Sequence, residues 1–195
     1  MIAATKNRII YCEIPETSMQ NYITGQHALN VVAEDGTSAD WHPHIWFWEE
    51  GVQKPTLLSL AGVNMHSTNQ IFGSYGIIEC KDWLAKSKGF NLSHLKAVYR
   101  ANYVRALLDL VYHTMMERVS ANRDWVCWKG AVFDWFDRNE DKIEFYQKCI
   151  ILKDSLTGQH KTWFVNWVSS EIQHDDVWGG YTLDPQLSKY FLEVV

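Results

Sequence analysis

The second half of this 195-residue chain repeats apolar residues at steps of three and four, the spacing of an amphipathic helix. The longest of these stripes predicts one helix of about 25 residues, with Asn91 or Ser93 as its N-terminal cap. Shorter stripes predict four further helices, which begin near Trp125, Glu140, Gln159 and Asp184. Residues 91–195 are therefore expected to form a helical layer of four to five helices.

The first 90 residues alternate short β-type runs with turn residues. The predicted strands are Arg8–Ile14, Trp41–Glu49, Pro55–Leu60 and Ser74–Cys80. The fold class that follows is α+β: a small N-terminal mixed or antiparallel sheet, followed by the helical layer. The length suits a single domain over residues 1–195, sheet-rich over 1–90 and helix-rich over 91–195.

Aromatic residues are unusually frequent, with 10 Trp, 9 Tyr and 8 Phe. The tryptophans on helical stripes are predicted to fill the core: Trp125, Trp128, Trp135, Trp163 and Trp167. Four others lie in less regular segments and are predicted to form a docking surface for another protein, because Trp is enriched in such surfaces: Trp41, Trp46, Trp48 and Trp178.

Composition and charge limit the class of protein. With 47% hydrophobic and 21% charged residues the chain is not disordered. Its net charge of −5 argues against a wide phosphate-binding surface. We find no signal peptide, no apolar stretch free enough of polar residues to span a bilayer, and no paired-cysteine motif. We therefore expect a cytoplasmic protein with no membrane partner.

The segment Asp40-Trp41-His42-Pro43-His44 is the most suggestive for chemistry. On an extended backbone, His42 and His44 point to one face, and His27 or His66 as a third nitrogen ligand would suit Zn²⁺ or Fe²⁺. Without a fixed motif such as H-E-x-x-H, hydrogen-bonded or solvated histidines are the favoured interpretation, so we assign no metal and no cofactor. His27, Asp40 and His42 remain the candidate catalytic residues of an alternative enzymatic reading.

Two further segments offer weaker signals. Phe72-Gly73-Ser74-Tyr75-Gly76 is not followed by the carboxylate pair that a nucleotidyltransferase needs to hold Mg²⁺, and no phosphate-binding glycine loop is present. Lys96, Arg100 and Arg105 are candidates for a nucleic-acid contact, with solvated helix-face charges as the commoner alternative. The acidic balance makes nucleic acid a possible but not a favoured partner.

Four strings resemble a group of small bacterial proteins that carry T-G-Q-x-A-L-N, G-D-W-H, I-F-G-x-Y-G-I and A-N-H-I-R-A-L-L-D-L in this order. They are N-Y-I-T-G-Q-H-A-L-N (21–30), D-W-H (40–42), F-G-S-Y-G-I (72–77) and A-N-Y-V-R-A-L-L-D-L (101–110). The resemblance covers roughly residues 20–110. It implies a bacterial origin, in accessory or mobile-element neighbourhoods where toxin–antitoxin and phage-conflict genes lie. Ala39 and Tyr103 depart from the Gly and His of the group, which argues against a catalytic role for those positions.

Taken together, the sequence predicts an intracellular bacterial interaction protein, antitoxin-like or a phage-conflict partner. It would bind another protein through its aromatic and acidic surface. The alternative is an enzyme that acts on a nucleotide or nucleic acid, with a His/Asp pocket around residues 24–30 and 40–44.

Overall fold

A computed structural model describes residues 10–11, 14–31, 49–50, 58–88, 92–121, 131–178 and 191 of the chain. Its strands are β1 (Ile10–Tyr11), β2 (Glu49–Glu50), β3 (Ile77–Glu79) and β4 (Tyr99–Ala101). Its helices are α1 (Gly25–Leu29), α2 (Asn69–Phe72), α3 (Lys81–Lys88), α4 (Tyr103–Ser120), α5 (Ala131–Trp135), α6 (Asn139–Ser155) and α7 (Gly158–Trp178). The α+β class is confirmed, with helix dominating the C-terminal part.

The strands form two small antiparallel pairs, β1 with β2 and β3 with β4. Ile23 extends the second pair, because its N–H donates to the carbonyl of Tyr99 and its carbonyl accepts the N–H of Ala101. A bridge from Ile23 to Leu60 continues the hydrogen bonding on the other side. This arrangement holds the start of α1 beside the start of α4.

The predicted 25-residue helix is corrected by the structure. Tyr99 and Ala101 lie in β4, paired with Glu79 and Ile77, and α4 begins only at Tyr103. Asn102 caps the helix, since its side-chain oxygen accepts the N–H of Arg105 at 2.8 Å. The apolar spacing runs on across the boundary because strand and helix face the same core, so periodicity alone does not reveal the break.

Helix α4 is the centre of the described fold. It packs against α1, α6, α7 and β4, and residues 103–111 are buried on every side of the helix. A helix enclosed in this way must satisfy any polar side chain that it carries within the protein. Toward its C-terminal end the helix becomes partly exposed, and His113 and Glu117 lie there.

Helices α6 and α7 follow the stripes predicted to begin near Glu140 and Gln159, whereas the starts predicted near Trp125 and Asp184 lie outside the described residues. Phe145 and Tyr146 of α6, together with Phe164 and Trp167 of α7, are fully or almost fully buried. Phe145 and Trp167 meet edge to face, with ring centroids 6.1 Å apart. Trp125 and Trp128 lie outside the described residues. None of the helices that are described is long and apolar enough to cross a bilayer.

Candidate functional site

The carboxylate of Asp109, on the buried part of α4, lies at the centre of a dense hydrogen-bond network. Its Oδ2 accepts the hydroxyls of Tyr22 at 2.7 Å and Thr24 at 2.9 Å. Its Oδ1 accepts the N–H of Thr68 at 2.8 Å, the hydroxyl of Thr68 at 2.7 Å and Nε of Arg105 at 3.1 Å. Five hydrogen bonds therefore satisfy one fully buried carboxylate.

The guanidinium of Arg105 also makes five hydrogen bonds within the protein, one of them to Asp109. Its Nη1 donates to the carbonyls of Gly73 at 3.3 Å and Tyr75 at 3.1 Å, and its Nη2 donates to the hydroxyl of Tyr22 and to Oδ1 of Asn69. Burial, reinforced by the charge of Asp109, raises the pKa of Tyr22 far above its usual range, so its hydroxyl stays protonated. The segments 21–30, 72–77 and 101–110 thus meet in one buried hydrogen-bond network.

Arg100 also points inward. It is 4% exposed, its Nη1 donates to the carbonyl of Ala101, and its guanidinium lies 5.7 and 5.6 Å from the ring centroids of Trp83 and Tyr103. Burial lowers its pKa. Of the three residues predicted to contact nucleic acid, only Lys96 is exposed, so Arg100 and Arg105 do not form the expected basic surface.

His27 is 2% exposed and lies within α1. Its Nδ1 accepts the N–H of Ser59 at 3.1 Å and lies 2.9 Å from the Ser59 hydroxyl. The other two predicted catalytic residues, Asp40 and His42, lie outside the described part of the chain, as do Trp41, Trp46 and Trp48. Trp178 is described only as the last residue of α7. What the structure adds for His27 is its burial and its contacts with Ser59.

A different set of residues comes together at the surface. His66, His113 and Glu117 each offer one ligand-type atom, and these three atoms lie within 4.8 Å of one another. His66 Nε2 is 3.3 Å from Glu117 Oε1. His113 and Glu117 share a face of α4 because they are four positions apart. Two imidazoles and a carboxylate are the donor set of open zinc and non-haem iron sites.

The neighbours of His113 determine its tautomer and favour its neutral form. The backbone N–H of His66 donates to its Nδ1 at 3.2 Å, so the neutral ring carries its proton on Nε2. Burial lowers the pKa of His113; the carboxylate of Glu117 opposes this shift and His66 reinforces it. The neutral ring, which is the form that metals bind, is therefore favoured near neutral pH.

The cluster lines a groove of about 540 Å³ between the segment 62–70 and α4. Its polar wall includes Ser67, Gln70 and Tyr112, beside the three cluster residues. Asn64 and Asn69 also line it, but Asn64 bonds the backbone of residues 58 and 60, and Asn69 bonds the buried network and Gln20. The volume is in the range of small-molecule sites.

Sequence reasoning named His66 as a possible third metal ligand and missed its partners. The available signal was the spacing of His113 and Glu117 on the predicted long helix, which places an imidazole and a carboxylate on one face. His66 and His113 are 47 positions apart in the sequence, and only the tertiary fold brings them together.

Comparison with protein-family models, with curated protein sequences and with solved structures finds no match for this chain.

Proposed function

We propose that this protein binds a divalent transition-metal ion, Zn²⁺ or Fe²⁺, through His66, His113 and Glu117, and that the ion works in the groove beside them. The proposal is carried by one observation: three ligand-type atoms from two separate parts of the chain lie within 4.8 Å of one another. Ligand atoms around a tetrahedral zinc ion are about 3.4 Å apart, so modest side-chain rotations would bring these three atoms to the spacing of metal ligands.

Metal binding requires one local rearrangement. An imidazole gives the ion a lone pair, and the Nδ1 lone pair of His113 is engaged by the N–H of His66. If the ion binds Nε2, the ring proton moves to Nδ1; if it binds Nδ1, the ion replaces the amide. Either way that hydrogen bond is given up, at a net cost of about 1 kcal/mol, which is small beside the free energy of transition-metal binding.

Isothermal titration calorimetry of the full chain with Zn²⁺, free of any affinity tag that contains histidine, tests the proposal. We expect one ion per chain. His113→Gln and Glu117→Gln should each weaken binding by at least about 100-fold, beyond the effect of changing an outer partner. His94→Gln is the matched control, because His94 is exposed and does not line the groove. Equal affinity in all four proteins would contradict the proposal.

Binding of another protein, as in an antitoxin-like or phage-conflict partner, stays a prediction of the sequence. It depends on Trp41, Trp46, Trp48 and Trp178, and it is compatible with a metal site elsewhere on the chain. Co-purification of a stoichiometric partner from the native host, lost when these four residues are replaced by Ala, would support it.

A further inference from the structure

We propose that the metal-loaded groove binds a small monoanionic carboxylate, which ligates the ion with one oxygen and accepts hydrogen bonds from the groove wall with the other. This inference rests on the metal site proposed above and names the ligand class of that same site. It is carried by the coordination number, the charge and the unused hydrogen-bonding groups of the groove.

The coordination number leaves room for an exogenous ligand. The cluster supplies three protein ligands, whereas a divalent transition ion takes at least four. The three residues line the groove of about 540 Å³, so a ligand that enters the groove would have access to the remaining position. Open positions of this kind distinguish sites that bind ligands from sites that only stabilise a fold.

The charge of the groove selects the ligand. A divalent ion with two neutral imidazoles and the single charge of Glu117 carries a net charge of +1. Among the described residues that line the groove, none is Lys or Arg, and Glu117 is the one Asp or Glu. A monoanion therefore neutralises the site, whereas a phosphate dianion would leave an excess negative charge without a counterion in the wall.

Some polar side chains that line the groove have hydrogen-bonding groups that form no hydrogen bond with the described part of the protein. The side chains of Ser67, Gln70 and Tyr112 make no hydrogen bond to the described part of the chain, although they line the groove. A hydroxyl or a side-chain amide can donate to a carboxylate oxygen, and such charge-assisted bonds are stronger than neutral ones. Asn64 and Asn69, by contrast, are already occupied by structural contacts.

Cobalt(II) substitution of the full chain gives a direct test, because the visible absorption of protein-bound Co²⁺ reports a change of its ligands. Acetate and inorganic phosphate are titrated separately into the Co²⁺-loaded protein in a buffer without coordinating anions. We expect acetate to shift the spectrum saturably and phosphate to bind at least about tenfold more weakly.

Variants of the wall separate this inference from the metal site itself. Gln70→Ala and Tyr112→Phe should each weaken acetate binding by about tenfold and leave Co²⁺ affinity unchanged. Gln159→Ala, a change on the exposed surface of α7, is the matched control. Failure to bind Co²⁺ at all overturns the metal site and the inference with it. Binding of Co²⁺ with a spectrum that acetate leaves unchanged, or stronger binding of phosphate than acetate, overturns this inference alone.

Discussion

At the scale of single residues, the chain uses its charged and polar groups in two opposite ways. Asp109 and Arg105 are fully buried, and every contact described for their side chains is to another part of the protein. His66 and Glu117 are 48% and 62% exposed at the rim of a groove. A residue in the first group contributes to folding, whereas one in the second is available to a ligand.

Asp109→Asn should destabilise the protein by about 3–5 kcal/mol, because it leaves the buried guanidinium of Arg105 without its countercharge. Asp141→Asn is the comparison, since Asp141 pairs with the half-exposed Arg138 and should cost no more than about 1 kcal/mol. Urea unfolding of both variants measures the difference. Equal losses would mean that the buried pair contributes no more than a surface one.

Cys80 should react slowly with alkylating reagents in the folded protein. Burial raises the pKa of its thiol to about 11, so only about one molecule in a thousand carries the reactive thiolate at pH 8. Iodoacetamide labelling followed by peptide mapping should show Cys80 reacting at least about 100-fold more slowly than in urea-unfolded chain. The rate should rise about tenfold per pH unit up to pH 10. Labelling as fast as in the unfolded chain would contradict the assigned burial.

At the scale of elements, the turn between α2 and β3 determines how α4 begins. Gly76 has a φ of 70°, and a Cβ there would lie 2.7 Å from Oδ1 of Asn102 and 2.8 Å from Cβ of Arg105. The N–H of Asn102 donates to the carbonyl of Gly76. The turn, the cap of the helix and the buried arginine are therefore packed as one unit.

Gly76→Ala should cost at least about 2 kcal/mol more than Gly158→Ala. Both positions have a positive φ that disfavours L side chains, by about 1–2 kcal/mol, but only the Cβ at Gly76 collides with a neighbour. At Gly158, with a φ of 55°, nothing lies within 4 Å of an added Cβ. Chemical denaturation measures the free energy of unfolding of the two variants. Similar losses would show that Asn102 can move away from the added Cβ.

At the scale of the whole molecule, metal binding should raise thermal stability. An ion present at 100 times its dissociation constant stabilises the folded state by about 2.7 kcal/mol, which for a chain of this size is a rise in Tm of roughly 5–10 °C. Glu117→Gln, with binding weakened at least about 100-fold, should reduce the rise to no more than about 1–2 °C, and His94→Gln should keep it. Differential scanning fluorimetry with and without Zn²⁺ measures the effect. A rise of the same size in Glu117→Gln would place the ion elsewhere.

The sequence predicts α6 and α7 well, because stripes such as Tyr146–Ile150 and Trp163–Trp167 report a local property of the chain. It does not predict the break before Tyr103, where strand and helix bury apolar residues against the same core. It also points to Arg105 as a surface contact, since nothing local reveals the buried carboxylate and hydroxyls around it. The groove forms where the segment with His66 packs beside α4. This is a long-range contact, so no local sequence pattern predicts it.

The order of synthesis gives the buried network a further consequence. Tyr22, Thr24 and Thr68 leave the ribosome 87, 85 and 41 positions ahead of Asp109, the acceptor that joins them. At about 5–20 residues per second, Asp109 is synthesised roughly 4–17 seconds after the first of these residues. A transcript that ends before codon 109 therefore yields a product without the acceptor that unites these segments, and cellular proteases are expected to remove it.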